Sequence, residues 1–122
     1  MAGTARSRET ALAAARRIDE HKAEDTVVLD ISEVSSVADY FVIATARSTT
    51  HMASLARELF QLFREQGIRP LNHHRRTAAS GWMLVDCADV VVHIMEREQR
   101  EFYDLERLWF RAERVPYASK SS

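Results

Sequence analysis

The sequence predicts a single α/β domain, a mixed β-sheet of about five strands with helices packed against it. Three observations carry this. Apolar residues recur at helical spacing near the start, in the middle and near the end of the chain, and short β-branched runs lie between them. At 122 residues the chain is long enough for one real core and too short for two ordinary domains. The order of elements is helix, two strands, helix, up to three strands, helix, which places helices against one sheet.

Each element has its own signal. From Ser7 to Lys22, Ala11, Leu12, Ala15 and Ile18 share one helical face, and Ala, Arg and Glu favour the helix. Thr26 to Ile31 is a β-branched run. Asp39 to Ala46 is apolar on both faces, as a strand covered on two sides must be, and a Ser-rich turn joins these two strands. Ser48 or Thr49 is placed to cap a helix whose stripe is Met52, Leu55, Ala56, Leu59, Leu62 and Phe63, with Gly67 as its stop. Ile68 to Asn72 is expected as an edge strand because Pro70 cannot donate into a ladder, and His73 to Gly81 as a polar loop. Trp82 to Cys87 and Val90 to Met95 form an expected antiparallel hairpin around Ala88 and Asp89. Phe102, Leu105, Trp109 and Ala112 mark an expected last helix, and the chain beyond Val115 and Pro116 is expected to fray. The domain is therefore expected over residues 8–112, between a flexible start at 1–7 and a flexible tail at 113–122.

Seventeen Lys and Arg against eighteen Asp and Glu give a formal net charge of −1, so no global positive field holds a nucleic-acid backbone. Little or no direct nucleic-acid binding is expected. Fifteen of the seventeen basic residues are Arg, which genomic base composition explains as readily as phosphate recognition. The one cysteine, Cys87, forms no internal disulfide or multi-cysteine metal site. Met1 to Arg17 lacks a continuous apolar stretch, Glu9 counts against a transit peptide, and no apolar run approaches membrane-spanning length. A cytoplasmic protein is expected.

The histidines His21, His51, His73, His74 and His93 show no paired ligand spacing, and adjacent His73 and His74 point apart in an extended chain, so no metal is expected. His93, inside an apolar strand, is expected as a hydrogen-bonded core or interface residue. Gly3, Gly67 and Gly81 are too far apart for a phosphate-cradling loop, and no cofactor is expected. Ser35, Ser36 and Ser48 lie in turn and cap contexts, and Asp30, Asp39, Asp86 and Asp89 punctuate strand ends without the i, i+2 spacing that aims two carboxylates at one cation. What remains is a surface. Trp82, Leu84 and Asp86 fall on one strand face, followed by acidic Asp89, Glu96, Glu98, Glu101 and Asp104. An aromatic face with an acidic rim suits a basic protein partner, while a core Trp82 beside acids that solvate a helix start is the alternative.

The string Gly81-Trp82-Met83-Leu84-Val85-Asp86, then Asp89 to Met95, then Arg100 to Trp109, closely resembles the ribosomal silencing factor (Iojap-like) family. Lys22 to Asp25, Leu29-Asp30-Ile31 and Ala38 to Thr45 extend the resemblance in register over residues of about 8 to 112. The resemblance implies a nucleotidyltransferase-like topology, and a partner in large-subunit ribosomal protein L-fourteen. It implies steric blocking of subunit joining, which represses translation under nutrient limitation, and a homodimer when free. By position it implies Trp82 and Leu84 as apolar anchors and Asp86, Asp89, Arg100 and Tyr103 as polar contacts. An active nucleotidyltransferase needs an Asp-x-Asp pair, whereas here Asp39 is followed by Tyr40 and Phe41, so the resemblance implies a binding module and no enzyme. A large-subunit assembly factor that contacts ribosomal RNA through Arg69, His73, His74, Arg75 and Arg76 is the other reading. Ala46 and Ala88 stand where the family usually has Gly, and His51 where Gln is common; a positive φ at Ala88 would cost on the order of 1 kcal/mol.

Overall fold

Alternation along two central strands sets the architecture. The computed structural model describes residues 5–36, 38–70, 81–108 and 112–117. Strand β2 (Tyr40–Ala46) is buried throughout and β4 (Val90–Glu96) over all but its last residue. The two pair in parallel, Tyr40 with Val90 through Ala46 with Glu96. Covered on both faces, they read in sequence as unbroken apolar runs. The other pairings are antiparallel: β1 (Glu24–Asp30) beside β2, β3 (Trp82–Asp86) beside β4, and the short β5 (Glu113–Arg114) beside β1. The sheet order is β3-β4-β2-β1-β5, a mixed five-stranded sheet as the sequence predicts.

Even and odd strand residues feed two different layers. Tyr40, Val42 and Ala44 of β2, Val90, Val92 and Ile94 of β4, and Met83 and Val85 of β3 pack with helices α1 (Ala5–Glu20) and α2 (Thr49–Glu65). Helix α1 contributes Ala11, Ala14 and Ala15, small side chains that let it lie close to the sheet, together with the larger Ile18. Helix α2 contributes the expected stripe, from Met52 to Phe63. Its N-cap is Ser48, whose hydroxyl accepts from the His51 N–H at 3.0 Å. At its end Gly67 takes φ +72°, and the Ile68 N–H closes on the Phe63 carbonyl at 2.7 Å. His51 joins the two helices: one ring nitrogen accepts from the Arg47 N–H and the other lies 2.9 Å from the His21 carbonyl.

The opposite sheet face collects Leu29, Ile31, Phe41, Ile43, Val91 and Met95. Over it pass α3 (Arg97–Tyr103) and α4 (Leu105–Leu108), and here the sequence expectation needs correction. One last helix with Phe102 in its apolar stripe was expected. Instead α3 begins directly after β4 and stops at Asp104, which adopts φ 48°, ψ 57°, a conformation Asp tolerates better than most residues. The break sends Leu105 into the core and leaves Phe102 77% exposed. Trp109 lies outside the described residues.

Smaller differences follow the same logic. Helix α1 and strand β1 each begin two residues earlier than expected, and β1 carries an irregularity between Glu24 and Val27 where Asp25 has φ 50°. Ile68 to Pro70 form no strand; Leu71, Asn72 and the expected polar loop through Ser80 lie outside the described residues. The short β5 had no signal, since two polar residues carry no period, yet Val115 beside it is buried and its N–H reaches the Val28 carbonyl at 2.8 Å.

The hairpin turn bears out the concern over Ala88. Its φ is +69°, and its N–H donates to Asp86 Oδ1 at 2.8 Å. An exposed alanine there keeps a backbone that glycine adopts freely. Ala88→Gly is therefore expected to stabilise the protein by about 1 kcal/mol, less the entropy glycine adds to the unfolded chain, seen as a higher thermal midpoint. A lower midpoint would mean that the turn tolerates alanine without strain. Ala46, the other departure, is an ordinary buried strand residue opposite Glu96.

Candidate protein-docking face

The pleat of β3 places Met83 and Val85 under the helices and Trp82, Leu84 and Asp86 on the other face. Leu84 lies opposite His93 in the antiparallel register, and Trp82 opposite Met95. Trp82 is half-buried, and its indole Nε1–H donates to His93 Nδ1 at 3.2 Å. The two readings of Trp82, core or surface, are thus both partly right: the ring packs on the second core cluster and stays partly exposed.

A run of rings crosses this face. Phe41 meets His93 edge-on at 4.6 Å, His93 meets Trp82 at 5.9 Å, Trp82 meets Tyr103 at 4.8 Å, and Tyr103 meets Phe102 at 5.0 Å. Burial falls along the run, from 7% exposure at Phe41 to 45% at Tyr103 and 77% at Phe102. A continuous aromatic ridge that begins in the core and ends in solvent is held rigidly at one end and open at the other.

His93 sits under the ridge. Indole nitrogen only donates, so Nδ1 is the acceptor and the neutral ring carries its proton on Nε2, which is buried without a hydrogen-bond partner among the described residues. Burial pulls its pKa down to about 4, so the ring is uncharged at neutral pH. At the hairpin turn the Cys87 thiol is pushed up to about 12, first by burial and then by Asp86, which keeps it from acting as a thiolate nucleophile.

The structure gathers some of the residues expected at the site and separates others. Trp82, Leu84 and Tyr103 lie together, Trp82 and Leu84 packed on the second core cluster. Asp86 and Asp89 stand at the other end of the hairpin, about 13 Å along β3 from Trp82. Asp86 accepts from the Ala88 N–H, and the Asp89 carbonyl accepts from the N–H groups of Asp39 and Tyr40, which ties the turn to β2. Arg100 points inward. Its guanidinium is buried, donates to Thr45 Oγ1 at 2.9 Å and pairs with Glu106 at 3.1 Å. Around the ridge, Glu98 and Glu101 on α3 are exposed. Arg97 is engaged by Glu24 and Asp25, and hydrogen bonds from Arg97 and then Arg47 hold the Glu24 carboxyl below its usual range.

Sequence reasoning missed Phe102. Its apolar ring and its spacing to Leu105 fit a core stripe, and only the left-handed turn at Asp104 points it outward.

Among the described residues no group of three or more His, Cys, Asp and Glu side chains converges to hold a metal ion. Asp30 Oδ1 accepts from Ser32, and Asp39 from the Ser7 hydroxyl at 3.4 Å. A cleft of about 550 Å³ does lie between Ser35, Ser36, Asp39 and Asp89, but Phe41, two residues on from Asp39, is a buried phenyl ring where a second carboxylate would be needed. No described helix is long and apolar enough to cross a membrane.

Comparison with known proteins gives these features a family. A ribosomal silencing factor of Bacillus subtilis is 40% identical over 96 residues, which is 79% of this chain and 80% of that protein. A crystal structure from Chromobacterium violaceum superposes with a TM-score of 0.76 at 28% identity, covering 93% of this chain and 90% of the other. One from Bacillus halodurans does so with a TM-score of 0.73 at 31% identity, covering 93% and 99%. The family profile described as "Ribosomal silencing factor during starvation" matches residues 4–122, nearly the whole sequence. With the profile, the sequence relative and the folds in agreement, this chain belongs to the ribosomal silencing factor family.

Proposed function

We propose that the aromatic ridge docks on protein L-fourteen of the large ribosomal subunit, and that the bound chain blocks the small subunit sterically, repressing translation in the cytoplasm when nutrients are scarce. The observation that carries this reading is Phe102, a large apolar ring 77% exposed at the end of a packed aromatic series. Rigid aromatic anchors next to open surface are where binding energy concentrates, and exposed acids at the rim favour a basic partner and speed docking.

In this reading Trp82 and Leu84 are the apolar anchors, Tyr103 and Phe102 extend them, and Asp86 and Asp89 supply polar contacts at the turn. Arg100 is a positioning residue that holds α3 against the sheet. The same face accounts for a homodimer in the free protein, since a second copy would cover the ridge until the ribosome competes for it. The scaffold is read as a nucleotidyltransferase-like sheet whose metal-binding pair has been replaced by Asp39 and Phe41.

The test is co-sedimentation with separated ribosomal subunits. Phe102→Ala removes an exposed ring, so its stability is expected to stay within about 0.5 kcal/mol of wild type. Its affinity for the large subunit is expected to fall about tenfold or more. Equal binding to both subunits, or a variant that binds as wild type, would sink the proposal.

A further inference from the structure

The net charge of −1 conceals an uneven distribution that the fold creates. At the C-terminal end of α2 an open cleft of about 770 Å³ is lined by Arg57, Phe60, Arg64, Ile68, Arg69 and Pro70 among others. All three arginines are exposed, and none is paired with a carboxylate among the described residues. The acids of the same helix are turned elsewhere. Glu58 and Glu65 both bind Arg17 of α1 at 3.0 Å, and His21 adds a second contact to Glu58 at 3.2 Å. One arginine of α1 therefore takes up both carboxylates of α2 and leaves its cations facing the cleft.

Arg57 and Arg64 are seven residues apart, so they lie on one helical face roughly 10 Å apart along the axis. Arg69 follows the Gly67 turn and reaches the same cleft. The helix end itself carries about half a negative charge, which opposes an anion, but three guanidinium groups outweigh it. The carbonyls of that end are also engaged, Phe63 by Ile68 and Arg64 by Gly67. Phe60 is half-exposed, and with Ile68 and Pro70 it gives the cleft an apolar floor. Spaced guanidinium groups around an apolar floor suit a single-stranded nucleic acid: phosphates meet the cations and bases lie against the floor.

We infer that this cleft is a second binding surface, separate from the aromatic ridge, and that its occupant is single-stranded RNA held by phosphates on Arg57, Arg64 and Arg69, with bases against the apolar floor. It does not rest on the docking proposal, because the residues and the helix are different.

The experiment is fluorescence anisotropy of the full chain with a labelled oligouridine of about twelve nucleotides, across a salt series. Wild type is expected to bind, with log affinity falling against log salt at a slope of about −2, from three phosphate contacts on a single strand. Changing Arg57, Arg64 and Arg69 together to Gln is expected to weaken binding at least tenfold with the thermal midpoint unchanged, since all three are exposed. The same three changed to Lys should bind within about threefold of wild type at low salt, because charge is kept. Phe102→Ala should bind as wild type, which separates this surface from the ridge. No binding by wild type, or a triple Gln variant that binds undiminished, would overturn the inference. So would equal displacement by polyglutamate of matched charge, which would mark a site for acidic protein instead.

Discussion

Trp82→Ala is expected to cost the protein about 2 to 3 kcal/mol of stability and to abolish measurable binding to the large ribosomal subunit. Truncating a fully buried Trp costs about 3 to 5 kcal/mol, and Trp82 is half-buried, so the packing loss is smaller. The lost hydrogen bond adds to it. His93 Nδ1, now accepting from the indole, would join Nε2 as a buried ring nitrogen without a partner. The effect on binding is larger than that of Phe102→Ala because Trp82 supports Tyr103 and, through it, Phe102. Urea unfolding gives the first quantity, and co-sedimentation at a temperature where the variant is folded gives the second. Trp82→Phe separates the causes: it keeps a ring against Tyr103 while removing the N–H. If Trp82→Ala folds and still binds within about threefold of wild type, the ridge is not the anchor.

Arg100→Met is expected to be the most damaging change to a charged residue among those described, with a loss of about 2 to 3 kcal/mol read as a lower urea midpoint at unchanged slope. The side chain is buried, so solvent screens its interactions little. Met fills the aliphatic volume, and the loss is then electrostatic: Thr45, 1% exposed, loses the donor to its Oγ1, and among the described residues Glu106 keeps only Arg114 at 3.2 Å. The partial exposure of Glu106 and its second arginine keep the value at or below the low end of about 3 to 5 kcal/mol for a broken buried pair. Pairing the change with Glu106→Gln in a double-mutant cycle should return a coupling of about 1 kcal/mol or more. Folded Arg100→Met is expected to keep large-subunit affinity to within several-fold. A loss as large as that of Trp82→Ala would mean that Arg100 reaches the partner directly.

The two central strands, the stripe of α2 with its Ser48 cap and Gly67 stop, and the Trp82 hairpin were all legible in the sequence, because period, propensity and capping are local. So was the family, carried by the strings around Trp82, His93 and Arg100. The anchors Trp82 and Leu84 could be put on one strand face by counting in twos. Whether that face was covered could not, since the cover comes from α3, whose course depends on a left-handed Asp104 that no period announces. That single backbone turn sent Leu105 inward and Phe102 outward. The direction of Arg100 was likewise beyond reach, because its acceptor Thr45 lies 55 residues away. Charge followed the same rule. Composition determined the sum of −1, but only packing α1 against α2 brought Arg17 to Glu58 and Glu65, 41 and 48 residues on, and left three arginines to face one cleft. Local pattern is written along the chain, while the pairing of charges is a property of distance, which exists only once the chain has folded.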